Sequence, residues 1–150
     1  MMALPYDTFT GAFLAKVTSY DLANMEEDMA TDIIDGYMKA AIAAFKHVCK
    51  YDLSSTAIDV EREFDIEIAD EDLDELVEII ATGMVVQWLK PFVNRQENLE
   101  NVLNTRDFTT YSPAELLNRV GGAYSSARSE FINYIREYSY THGDLTVLHL

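Results

Sequence analysis

Cysteine is almost missing from this sequence. Cys49 is the single one in 150 residues, so no disulfide can form within one chain, which suits a reducing compartment. Basic residues are scarce as well: 11 Lys and Arg stand against 26 Asp and Glu, a net charge of −15. Binding to nucleic acid neutralises phosphates with a basic face, so this balance excludes a chain-wide grip on DNA or RNA. Long apolar runs are also lacking. The longest strongly apolar stretch, residues 79–89, is far short of the roughly 20 residues of a membrane helix. The first residues carry Pro5 and Asp7 and no early positive charge, unlike a secretory signal. These absences point to a soluble intracellular domain with no membrane partner.

What is present is a folding composition. Hydrophobic residues make up 49% and charged residues 25%, the balance of a globular chain long enough for one core. The negative charge is concentrated: residues 52–78 hold twelve acids and one base, Arg62. Such a block ordinarily marks a solvated surface. A sharper reading is a surface that must not stick to something anionic, such as passing DNA.

Hydrophobic spacing predicts helices at about 8–17, 25–49, 70–90 and from 112 onward, with 92–104 as a further candidate. Asp7 or Thr8 can cap the first. In the second, Met25, Met29, Ile33, Tyr37, Ile42, Phe45 and Cys49 recur near helical spacing, and Ile34, Met38, Ala41 and Val48 widen the stripe. Within the acidic linker, Phe64, Ile66 and Ile68 alternate with Asp65 and Glu67, the pattern of an extended segment or short strand. Asp70 is the expected cap of the third helix, which is apolar on most sides and therefore central. Pro91 should kink or end it. Ser112, Pro113 and Glu115 form a capping box with proline at the first helical position. The stripe Leu116, Val120, Tyr124, Ala127, Phe131, Ile135 and Tyr138 follows, interrupted by Gly121 and Gly122, which either admit a neighbouring helix or weaken an exposed turn. The expected architecture is an all-α bundle of four to five helices with an extended acidic insertion and an extended C-terminal tail. Residues 1–140 form the helical domain and residues 141–150 the tail.

Chemistry-bearing patterns are hard to find. His47 and Cys49 point apart on a helix and no third ligand joins them, so no metal site is expected. The acids lack the spacing and the glycine of a calcium loop. No nucleophile elbow or glycine-rich phosphate loop occurs, and the carboxylates crowd together without separated environments. Neither enzymatic activity nor a cofactor is expected. Tyrosines are plentiful, and those beyond the needs of a small core favour interfaces; Tyr111, Tyr134, Tyr138 and Tyr140 are candidates for a subunit interface. The apolar end, Leu145, Thr146, Val147, Leu148, His149 and Leu150, either folds back or docks on a partner.

Several segments together resemble a known group. They are Tyr6-Asp7-Thr8-Phe9 with Gly11-Ala12-Phe13-Leu14, Tyr20-Asp21-Leu22, and Met84-Val85-Val86-Gln87-Trp88-Leu89-Lys90-Pro91. Asn104-Thr105-Arg106-Asp107-Phe108, Tyr111-Ser112-Pro113-Ala114-Glu115 and Glu137-Tyr138-Ser139-Tyr140 complete the set. The chain is similar to the head–tail adaptor proteins, also called connector or neck proteins, of long-tailed bacteriophages. That resemblance implies a structural virion protein of the neck, made in the host bacterial cytoplasm and without an active site. Such proteins form a homo-oligomeric ring beneath the portal, roughly twelve subunits by symmetry matching. They extend the DNA channel, let DNA pass without specific binding and receive the next neck protein or the tail. The C-terminal segment in that family commonly clasps the portal, which gives residues 145–150 a purpose. From charge alone, Asp59, Glu61, Glu63, Asp65 and Glu67 are candidates to face the channel. Two other readings compete: another neck or tail completion or terminator protein, and an acidic regulatory binding module that mimics DNA.

Overall fold

The computed structural model describes residues 3–19, 30–94 and 113–142. These residues are mostly helical, with a small sheet that the all-α expectation omitted. Strand β1 (Ala3–Pro5) leads into helix α1 (Asp7–Ser19). Helix α2 (Thr31–Phe45) is followed by β2 (Ala57–Ile58) and β3 (Glu63–Asp65). Helices α3 (Asp70–Asn94) and α4 (Pro113–His142) complete the described chain.

Helix α3 is the centre, as its all-round apolar surface demands. Leu76, Ile79, Ile80, Ala81, Met84, Val85, Val86, Trp88 and Leu89 are all buried, and α1, α2 and α4 pack around it. The Phe13 ring meets Trp88 edge to face at 6.2 Å between centroids. The indole N–H of Trp88 has no acceptor among the described residues. Asp70, Glu71 and Asp72 fill the first turn of α3, where carboxylates face the positive end of the helix dipole. Asp70 is itself helical, and the Ala69 carbonyl accepts from the N–H groups of Asp72 and Leu73, each at 2.9 Å. Pro91 lies inside the helix, which runs on to Asn94; proline has no N–H to offer the Gln87 carbonyl one turn earlier.

Helix α2 is shorter than its pattern suggested. It ends at Phe45, where the Phe45 carbonyl takes the N–H groups of Val48 and Cys49 in a closing turn. The expected start near Met25 lies outside the described residues. Ile34, Met38, Ala41, Ile42 and Phe45 make its buried face, so Ile33 is left exposed. In α4 the stripe holds from Val120 onward: Val120, Ala127, Phe131 and Tyr138 are buried, with Tyr124 and Ile135 packed against the core, while the side chain of Leu116 lies outside the described residues. The proposed cap Ser112 lies outside the described residues.

A glycine that the sequence did not flag sits at the tightest crossing. A Cβ on Gly83 would stand 2.7 Å from Phe131 Cε1 and 2.8 Å from Ala41 Cβ, so α2, α3 and α4 meet where only hydrogen fits. Gly121 and Gly122 instead face open space among the described residues.

The sheet has the order β1-β3-β2, antiparallel throughout. Leu4 and Ala57 flank Phe64 on the central strand, and Pro5 occupies an edge, where a missing donor is tolerated. Phe64 is 1% exposed and packs on the rings of Tyr6 at 4.8 Å and Phe9 at 5.6 Å. The alternation read from sequence continues beyond the strand: Ile66 and Ile68 pack on the core while Asp65 and Glu67 are exposed.

Candidate functional site

The most connected polar cluster lies where the start of the chain, α2 and the β2–β3 turn meet. Arg62 closes that turn, donating its N–H to the Asp59 carbonyl at 3.2 Å, with φ of 53°. A non-glycine residue in this left-handed region is strained, and the side chain shows what holds it there. The guanidinium donates Nε to Asp35 Oδ2 at 2.7 Å and Nη2 to Asp35 Oδ1 at 2.8 Å. It also reaches Asp7 Oδ1 at 3.0 Å and lies over the Tyr6 ring at 5.8 Å. Bidentate carboxylate pairing is among the strongest hydrogen bonds proteins make. One side chain thus ties three segments far apart in sequence.

Asp59 is drawn into the same network. Tyr6 donates its hydroxyl to Asp59 Oδ1 at 2.6 Å, and Lys39 Nζ stands 2.7 Å from the same oxygen. The hydrogen bond from Lys39, with that from Tyr6 behind it, holds the Asp59 carboxyl below the usual carboxylate range. Burial, with the Asp59 charge beside it, pushes the Tyr6 phenol well above its ordinary value. Asp35 holds the Arg62 guanidinium even more firmly protonated. A concavity lined by Tyr6, Asp35, Gly36, Lys39, Asp59 and Arg62 opens beside α2, and these charged groups satisfy one another. The arrangement is a structural clamp.

A second groove lies at the other end of α2, about 440 Å³ in volume, with Ile42, Phe45, Cys49 and Leu53 as apolar lining and Lys46 and Lys50 beside them. Asp52 shapes one wall, its carboxylate accepting from the N–H groups of Ser54 at 3.1 Å and Ser55 at 3.0 Å and from the Ser55 hydroxyl. Tyr51 donates its hydroxyl to Asp72 Oδ2 at 2.6 Å. Burial pushes the Cys49 thiol up, away from the thiolate a nucleophile needs. No cluster of His, Cys, Asp or Glu among the described residues is placed to hold a metal ion. No helix among them is long and apolar enough to cross a membrane.

No family model, curated protein or solved structure matches the chain.

The five candidate channel acids divide. Glu61 is exposed, Glu63 and Asp65 lie on the outer face of β3 opposite Phe64, and Glu67 continues that face. Asp59 differs, because Lys39 and Tyr6 already engage its carboxylate. The four candidate interface tyrosines divide too. Tyr138 is 1% exposed, stacks edge to face on Phe45 at 4.9 Å and accepts the Lys50 N–H at 3.0 Å. It belongs to the core of its own chain and has no surface to offer, and burial pushes its phenol up to about 12. Tyr134 is half-buried against the core, and Tyr140 is 60% exposed. Tyr111 and the tail residues 145–150 lie outside the described residues.

Sequence reasoning missed the clamp. Arg62 as the lone base in an acidic run was a usable signal that it must be paired. Its partners Asp35 and Asp7 stand 27 and 55 positions away in the chain, where local patterns carry no information.

Proposed function

We propose that this chain is a head–tail adaptor of a tailed bacteriophage, a structural protein forming a ring between the portal and the tail or next neck protein. The observation that carries this reading is where the family-like segments meet. Phe13 of the first packs on Trp88 of another at 6.2 Å, and Tyr138 of the last is buried in the same core. Those that fall within the described residues build one helical scaffold, which is the distribution expected of a protein whose work is assembly. The outward carboxylates of Glu61, Asp65 and Glu67 suit a wall that DNA slides past without phosphate contacts. Asp59 is left out of that wall because it is engaged in the clamp.

The reading is tested by complementation with a chain lacking residues 145–150. The truncated chain keeps every residue of the described core, and it should fold and yet fail to enter particles. Wild-type incorporation removes the docking role of the tail. In assembled particles, changing Glu61, Asp65 and Glu67 to lysine should slow DNA ejection; unchanged ejection turns that row away from the channel.

One observation favours a second reading, an acidic regulatory module. Glu63, Asp65 and Glu67 follow one face of an extended segment at steps of about 6.6 Å, a regular row of carboxylates that begins on a hydrogen-bonded strand. Competition with DNA for a basic protein, by a chain absent from particles, would favour that module over the adaptor.

A further inference from the structure

A further cavity, about 280 Å³ in volume, lies between α2 and the chain that leads into the hairpin. Its walls sort into three parts. Helix α2 supplies Met38 and Ile42, the crossing segment 53–59 supplies Leu53 and Ala57, and Phe64 of β3 closes the back. Met38, Ile42, Leu53 and Phe64 are all buried, so the segment acts as a cover over apolar side chains. Lys39 and Asp59 stand at the rim, 2.7 Å apart and each at least half exposed.

The covering segment is fastened at its ends and loosely between them. At one end the Asp52 carboxylate takes the N–H groups of Ser54 and Ser55, and the Asp52 carbonyl takes the Thr56 hydroxyl at 2.6 Å. At the other, the Asp59 carboxylate takes Lys39 and the Tyr6 hydroxyl. Between them β2 is two residues long, Ala57 is half-buried and Ile58 is exposed. A segment with few buried apolar contacts opens at less cost than the core around it. Of its fastenings, the exposed ion pair is the one that salt and competing charges weaken. Arg62, just beyond, holds the strained φ of 53°, a conformation that persists only where its surroundings enforce it and that clusters at switch segments.

We infer that residues 53–59 form a strap that opens about the Asp52 turn, with Asp59 as its latch and the cavity as what the opening uncovers. Opened, the strap bares Met38, Ile42 and Phe64 to solvent while the helical core stays shut. A charge that competes for Lys39 or Asp59 thereby gates an apolar pocket. The device stands on the geometry of α2 and the hairpin and does not depend on the ring reading.

The test uses the full-length chain and two reporters, with Trp88 emission as the control for folding. The Asp65 N–H donates to the Thr56 carbonyl at 2.8 Å, a bond that breaks when the strap lifts, whereas the Tyr6 N–H donates to the Arg62 carbonyl in the same sheet and does not. Met38 lines the cavity and Met84 lies in the core, both fully buried, so oxidation by hydrogen peroxide, read by peptide mass spectrometry, reports which is uncovered. Asp59→Asn and Lys39→Met should each speed amide exchange at Asp65 and oxidation of Met38 about ten-fold, the effect of losing one charge-assisted contact. The Tyr6 amide and Met84 should not change. In wild type, added salt should speed both reporters, and in Asp59→Asn it should add nothing. Oxidation of Met38 and Met84 in step would mean that only global unfolding uncovers the cavity, and would overturn the strap. Indifference of Asp65 and Met38 to both substitutions and to salt would overturn the latch. None of these results depends on whether the chain is found in virions, so failure of the strap and failure of the adaptor reading are separable.

Discussion

The helical core and the acidic hairpin are held by different forces. Around α3, the contacts are apolar and crowded: Trp88 against Phe13, Phe45 against Tyr138, and a glycine at 83 where no methyl group fits. The hairpin rests on a single buried anchor, Phe64, and its position relative to α2 depends on Arg62, Asp35, Asp59, Lys39 and Tyr6. The first region responds to volume, because close-packed interiors cannot yield. The second responds to charge state. A molecule built this way keeps a rigid body while presenting an acidic projection whose placement is set by a few polar contacts.

The strongest way to break the core alone is at Gly83. Gly83→Val should destabilise the protein by about 3 kcal/mol through overpacking against Phe131 and Ala41. Adding Phe131→Leu should recover part of that loss, since the two changes share one space; urea midpoints of the single and double variants measure the coupling.

The hairpin breaks at Arg62. Arg62→Leu leaves Asp35 without its bidentate partner and should cost about 2 kcal/mol, with amide protection lost in β2 and β3 before α3. The clamp should also fail at both ends of the pH scale. The Asp59 carboxyl is lowered in the folded state, so its contribution is present above the ordinary carboxylate range and is lost as pH falls through it. The Tyr6 phenol is raised, so its contribution is present below about pH 10 and is lost as pH climbs further. Protection factors of the hairpin amides, followed across pH in wild type and Tyr6→Phe, check both signs.

The smallest effect is expected at Gly121 and Gly122. Both face open space on a helix, so alanine at either should stabilise by up to about 1 kcal/mol. Thermal denaturation of Gly121→Ala and Gly122→Ala, set beside Gly83→Val, separates glycines that a crossing requires from glycines it does not.

These contrasts also mark what the sequence could disclose. Periodicity located α3 and the buried stripe of α4, because burial on one face of a regular element leaves a repeating trace. Alternation at Phe64, Ile66 and Ile68 disclosed an extended segment whose inner face reaches the core. It could not disclose β1, because Ala3–Pro5 is too short for a pattern and pairs with a strand about sixty positions later. The glycine pair at 121 and 122 drew notice by being adjacent, while Gly83 was silent: which helix approaches it is a fact of tertiary packing. Tyr138 carried two signals, a place in the stripe and an excess of tyrosines, and the stripe was the one that counted. The clamp was illegible for the same reason as β1, with Arg62 marked as unusual and its partners hidden by distance along the chain.

The adaptor reading itself is tested most directly by quantitative mass spectrometry of purified virions, counting this chain against the portal protein. The account predicts a ratio near one to one, as symmetry matching of two stacked rings requires. Absence of the chain from the particle would contradict the account and move the acidic regulatory module to first place.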